Sequence, residues 1–98
     1  MTVEKREEII GLYDTYNLLL TDKQRAYFES YYFDDLSISE IAINFEVSRN
    51  AVFDQIKRVT EILKDYEEKL KLMEKISKIE NLKIEESLRE EIRNILKE

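Results

Sequence analysis

Apolar side chains recur at three- and four-residue intervals along almost the whole chain, and the phase of that recurrence resets at a few marked places. Ile9, Leu12, Tyr13, Tyr16, Leu19 and Leu20 fall on one face and predict a first helix from Val3 to Leu19. Thr21, followed by Asp22, can cap a second helix that runs to about Tyr32. That helix carries Tyr27, Phe28, Tyr31 and Tyr32, and their spacing suits the filling of a small core better than the stacking of bases. "FDDLS" reads as a turn, and Ser37-x-x-Glu40 as a capping box worth about 1 kcal/mol. It opens a short third helix, Ile38 to about Phe45, that buries Ile38, Ile41, Ala42 and Phe45, with Ala42 small enough to let two helices cross closely. "EVS" reverses the chain, and Ser48 caps a fourth helix.

The fourth helix is long. Ala51, Val52, Ile56, Val59, Leu63, Tyr66, Leu70 and Met73 continue the stripe, and from Ile56 onward the spacing alternates three and four, a heptad seam. Its first part must pack on the helices before it. Tyr66, Leu70 and Met73 run past them and need cover from the C-terminal helix or from a second copy, so a homodimer is expected. The seam breaks between Lys71 and Met73. Ile76, Ile79 and Leu82 make a short amphipathic stretch, Asn81 interrupts it, and Ile84, Leu88, Ile92, Ile95 and Leu96 form a last amphipathic helix. The expected fold is all-α: a helix-turn-helix bundle without a wing, over residues 1–70, and a C-terminal helical extension over 71–98.

Composition agrees with this and removes several chemistries. A single Gly and no Pro leave little material for sheets or long loops. With no Cys and no His, disulfides, thiolate sites and the commonest proton shuttle and metal ligand are absent. The carboxylates lie on solvated helix faces; Asp34 and Asp35 sit in a turn with no second acidic cluster beside them. One Gly cannot build a phosphate loop. No enzyme, metal or cofactor is expected. The charged start, "MTVEKREEII", and the lack of a long apolar run predict a soluble cytoplasmic protein without a membrane span.

The net charge of −6 is unevenly spread. Residues 1–47 hold four basic and ten acidic side chains, 48–83 nine and seven, and 84–98 three and five. Only the middle block can attract a polyanion, and weakly. There, Arg49, Asn50, Phe53 and Lys57 share one face of the fourth helix, with Asp54 and Arg58 beside them. An aromatic ring between cations suits an unpaired RNA base, and it suits equally a groove on a partner protein. A third reading leaves Phe53 partly covered by the first helix and the polar groups merely solvated.

"LTDKQRAYFESYYFDDLSISEIAINFEVSRNAVFDQIKR", Leu20 to Arg58, resembles the DNA-binding C-terminal region of bacterial sigma factors. It is more closely similar to the YlxM family, small bacterial helix-turn-helix proteins often encoded beside the signal recognition particle GTPase. The likeness runs from about Tyr13 to Leu72, is carried by "YYFDDLSISEIA" and "VSRNAVFDQIKR", and is faint beyond Lys83. It implies a non-enzymatic accessory or regulatory protein of the particle's pathway, contacting its RNA or its GTPase. The sigma likeness implies the alternative, a transcriptional regulator on duplex DNA.

The departures from the sigma pattern weigh against DNA. Phe53, Asp54 and Gln55 stand where sigma factors commonly have Lys-Ser-Arg. An acid about 4 Å from a phosphate costs roughly 1 kcal/mol in water and about 4 at partly buried dielectric. Two lost phosphate contacts lower the salt slope by about two units. Asp54 can still accept from a cytosine amino group, which keeps duplex DNA as the disfavoured partner. Asp35 and Glu46 replace the sigma-type glycines of the two turns; at positive φ, Glu46 costs roughly 1–2 kcal/mol relative to Gly.

Overall fold

Hydroxyl side chains set where the first four helices begin. The computed structural model describes residues 2–98. Thr2 accepts from the Lys5 amide, Thr21 from Gln24, Ser37 from Glu40 and Ser48 from Ala51, at 3.1–3.2 Å. Gln24 and Glu40 answer by accepting from the amides of Thr21 and Ser37, which completes two capping boxes. The helices so started are α1 (Val3–Tyr16), α2 (Asp22–Tyr32), α3 (Ile38–Phe45) and α4 (Arg49–Leu70). Two more follow, α5 (Leu72–Glu80) and α6 (Glu86–Lys97), and the described residues contain no strand.

α1 stops three residues earlier than its periodicity predicts. The Asn17 amide group donates to the Tyr13 and Asp14 carbonyls, and Asn17–Leu19 tighten into a 3₁₀ turn. Arg25 pins that turn by donating to the carbonyls of Asn17 and Leu20. The tighter turn swings Leu20 into the core and leaves Leu18 and Leu19 exposed.

α1, α2 and α3 pack around the N-terminal two-thirds of α4. Phe28, Ile41, Val52, Val59 and Leu63 are fully buried between them. The aromatic residues of α2 are core: Phe28 stacks on Tyr13 at 4.2 Å and on Tyr32 at 4.4 Å, and Tyr27 on Phe45 at 4.5 Å. Ile38 and Phe45, expected fully inside, are half-buried at the edge of this cluster.

Three turns use non-glycine residues in the left-handed region: Asp35 (φ 56°), Glu46 (φ 55°) and Lys71 (φ 53°). Glu46 ends α3 with its amide on the Ala42 and Ile43 carbonyls, and Val47 donates back to Ala42 at 3.0 Å. Lys71 ends α4 and turns α5 back over α1.

Two side chains fix that second reversal. The Glu67 carboxylate accepts from the Tyr16 hydroxyl at 2.5 Å, the Met73 amide at 2.9 Å and the Glu74 amide at 3.1 Å. The Tyr16 oxygen itself accepts from the Leu72 amide at 3.0 Å. α5 has no cap from its own Lys71, so Glu67 and Tyr16 satisfy its first three free amides instead. Gly11 allows the close approach: a Cβ there would lie 2.7 Å from the Met73 methyl.

Cover for the late seam therefore comes from α1. Tyr66 packs on Tyr16, with ring centres 5.9 Å apart, and Met73 lies over Gly11, while Leu70 remains 49% exposed. α6 packs mainly on α5, held by the Arg93 guanidinium on the Glu80 carboxylate at 2.5 and 2.7 Å. The resulting chain is elongated, 49 × 27 × 23 Å, with a radius of gyration of 15.8 Å. A compact domain of this length would have about 13 Å.

Candidate recognition surface on the fourth helix

α3, the turn at Glu46–Ser48 and the start of α4 form the helix-turn-helix. α4 commits Val52, Ile56, Val59 and Leu63 to the core. The opposite face follows from the helical period: Arg49, Asn50, Phe53, Asp54, Lys57 and Arg58 are all exposed. Phe53 stands 59% exposed, with Arg49 one turn before it and Lys57 one turn after. Arg49 donates to the Ser39 hydroxyl at 3.3 Å, which ties it to the first turn of α3. Among the described residues, Arg49, Asp54, Lys57 and Arg58 make no salt bridge, so their charges face solvent.

The start of α4 differs electrostatically from the other helix starts. α1, α2, α3, α5 and α6 each carry an acid in the first turn, Glu4, Asp22, Glu40, Glu74 and Glu86. α4 has none there and begins with Arg49. Its macrodipole, equivalent to about half a positive charge, is left uncompensated and adds to the cation. On a chain of net charge −6, residues 49–58 at the start of α4 hold three basic side chains and one acid.

Lys64 continues the row of Phe53 and Lys57 along α4, and α1 brings Lys5 across from it. Between them runs a groove of about 580 Å³. Ile9, Tyr32 and Ile56 form its floor; Tyr31, Ile38 and Phe53 form its walls. Lys5, Lys57 and Lys64 line it with one acid, Glu61. Burial pushes the phenol of Tyr32, on that floor, above its ordinary pKa. The Arg49-to-Lys57 face follows from helical spacing alone, whereas the groove does not. Lys5 and Ile9 come from the other end of the chain, and no local spacing announces that they meet α4.

Elsewhere the surface carries less chemistry. A second groove, about 490 Å³, runs between the end of α1 and the α5–α6 pair, past Leu18, Ile76 and Arg93. Among the described residues there is no group of His, Cys, Asp and Glu able to hold a metal, and no helix is long and apolar enough to cross a membrane.

This chain is similar to known proteins over almost its whole length. Residues 3–97 match the model of the UPF0122 family, described as "helix-turn-helix protein, YlxM / p13 like". The match reaches well past Leu72, so the C-terminal helices belong to the family pattern as well. A UPF0122 protein of Exiguobacterium sp. (strain ATCC BAA-1283 / AT1b) is 52% identical over 82 residues, 84% of this chain and 77% of that one. UPF0122 proteins of Bacillus cereus (strain AH187) and Bacillus anthracis (strain A0248) are each 50% identical over 80 residues, 82% of this chain and 73% of theirs. A match of that extent, carried by an all-helical fold with its helix-turn-helix in place, makes this chain a member of the UPF0122 family of YlxM/p13-like helix-turn-helix proteins.

Proposed function

We propose that this chain is a non-enzymatic accessory protein of the signal recognition particle pathway that contacts the particle's RNA or its GTPase through the exposed face of α4. The pathway is suggested by the resemblance to YlxM proteins, often encoded beside that GTPase. The observation that carries the reading is the solvent-facing Phe53 ring between Arg49 and Lys57, at a helix start with no acid to offset it. Such a ring stacks on an unpaired base while the flanking cations meet phosphates, and this favours RNA as the direct contact. Asn50 adds an amide that can donate and accept on a base edge. On its own the protein self-associates through α4 and the C-terminal segment, a reading supported by exposed Leu70 at the end of α4 and exposed Leu82, Leu88 and Ile95 after it.

The alternative is a regulator that binds duplex DNA. The helix-turn-helix geometry supports it; unpaired Asp54 in the middle of the recognition face and the net charge of −6 oppose it. Anisotropy titrations at about 150 mM salt separate the two, because salt suppresses the nonspecific phosphate attraction that all such proteins share. The particle's RNA, with or without its GTPase, should bind more tightly than any duplex. Phe53→Ala should weaken RNA binding roughly 5- to 150-fold, the range expected for one lost base–ring stack. Sub-micromolar, sequence-selective binding to duplex DNA would overturn the reading.

A further inference from the structure

The groove beside Phe53 and the outward face of α6 have complementary chemistry. Leu88 and Ile95, 47% and 65% exposed, lie seven residues apart on one row of α6. Glu91 falls between them and Glu98 beyond, and among the described residues neither makes a salt bridge. The row faces outward because Arg93 on Glu80 and Arg89 on the Leu82 carbonyl fasten the opposite side of α6 to the α5 end. Two apolar knobs one heptad apart span about 10 Å at 1.5 Å per residue. The groove follows α4 from Phe53 to Lys64, about 16 Å by the same rise, so it is long enough for both. Its lining carries three lysines and one glutamate, opposite in sign to the acids on the row.

α6 does not reach this groove in its own chain. It lies near Asp14 and Leu18, at the far end of α1 from Lys5 and Ile9, which line the groove. The nearest lining residues on α1, Ile9 and Asp14, are five positions apart, about 8 Å along the axis and about 140° around it, so the two grooves open on different sides of the helix. We propose that α6 of a second copy of this chain occupies the groove, with Leu88 and Ile95 on its aromatic walls and Glu91 and Glu98 toward its lysines. Each copy has one groove and one such helix, so mutual exchange about a two-fold axis fills both and closes as a dimer. The seated helix covers Phe53 and Lys57. If the proposed function holds, RNA and the second copy compete for that face; the seating of α6 does not depend on it.

The test is sedimentation velocity on the full chain across about 1–100 µM, a range set by micromolar dissociation constants. The wild type should pass from monomer to dimer. Lys5→Glu with Lys64→Glu, or separately Glu91→Lys with Glu98→Lys, should each weaken the dimer at least tenfold, and all four positions are exposed. Mixing the two double variants should restore a heterodimer, because each reversed groove then meets a reversed helix. A wild type that stays monomeric, a dimer indifferent to the lysine reversals, or a mixture that fails to associate would each overturn the proposal. So would a monomeric chain that binds a synthetic acidic amphipathic helix, since the groove then serves a different protein. A dimer that behaves as expected, from a chain whose monomeric Glu91→Lys, Glu98→Lys variant binds neither the particle's RNA nor its GTPase, would instead sink the proposed function alone.

Discussion

Glu67→Ala should loosen the C-terminal third of the molecule while leaving the helix-turn-helix folded. The substitution removes the acceptor for the buried Tyr16 hydroxyl and for two of the three free amides at the start of α5. A lost helix N-cap costs about 1 kcal/mol, and a hydrogen bond to an ionised group about 1.5–3. Together these predict a loss of roughly 2–4 kcal/mol. α5 and α6 contribute no fully buried side chain, so little else resists their release. The loss should therefore appear first as local opening rather than global unfolding. Limited trypsin digestion reads it directly, as faster cleavage at Lys71 and Lys75. Urea titration gives the free energy, and amide exchange should quicken from Leu72 to Glu80. Tyr16→Phe removes the same hydroxyl from the other side, so the two changes should be non-additive by about 1 kcal/mol or more. An alanine variant within about 0.5 kcal/mol of wild type, digested at the wild-type rate, would show that Glu67 is only a solvated acid.

Alkaline pH should destabilise the fold through three buried phenols. Burial, with Glu29 and Glu67 as neighbours for two of them, raises the phenols of Tyr13, Tyr16 and Tyr32 above their ordinary value. Their stabilising contribution is complete below about pH 10, where the unfolded phenols titrate. As pH rises further, the unfolded chain sheds protons that the folded one keeps, and stability falls by up to about 1.4 kcal/mol per pH unit for each tyrosine. Melting temperatures equal at about pH 9 and pH 11 would refute this. Glu46→Gly should act in the opposite direction, relieving the left-handed turn at φ 55° by up to about 1–2 kcal/mol. Urea midpoints check it, and a destabilised glycine variant would mean that the turn carries no such strain.

What could be read from the sequence and what could not divide by the range of the forces involved. Thr21, Ser37, Glu40 and Ser48 act within three residues of themselves, and the helix starts they imply stand in the structure. The left-handed turn at Glu46 came into view through the sigma likeness, whose pattern has a Gly between the two helices, and Glu46 stands there at φ 55°. The overreach of the first helix to Leu19 shows where periodicity misleads. Leu18, Leu19 and Leu20 are equally apolar, and only the Asn17 side chain and Arg25 decide that Leu20 alone turns inward. Glu67 reads in one dimension as one more solvated carboxylate, because its partner Tyr16 lies 51 positions away. Gly11 likewise shows no reason to be Gly until Met73 is laid across it. The candidate surface divides along the same line. Arg49, Phe53 and Lys57 share a helical period and could be grouped at sight, whereas the groove that continues them needs α1 folded against α4. The long-range contacts are also the ones that place Lys5 beside Lys57 and Lys64. Positive potential on this acidic chain is thus a product of the fold more than of composition, and reversing Lys5, remote in sequence, should weaken the groove as an acid-binding surface just as reversing Lys64 does.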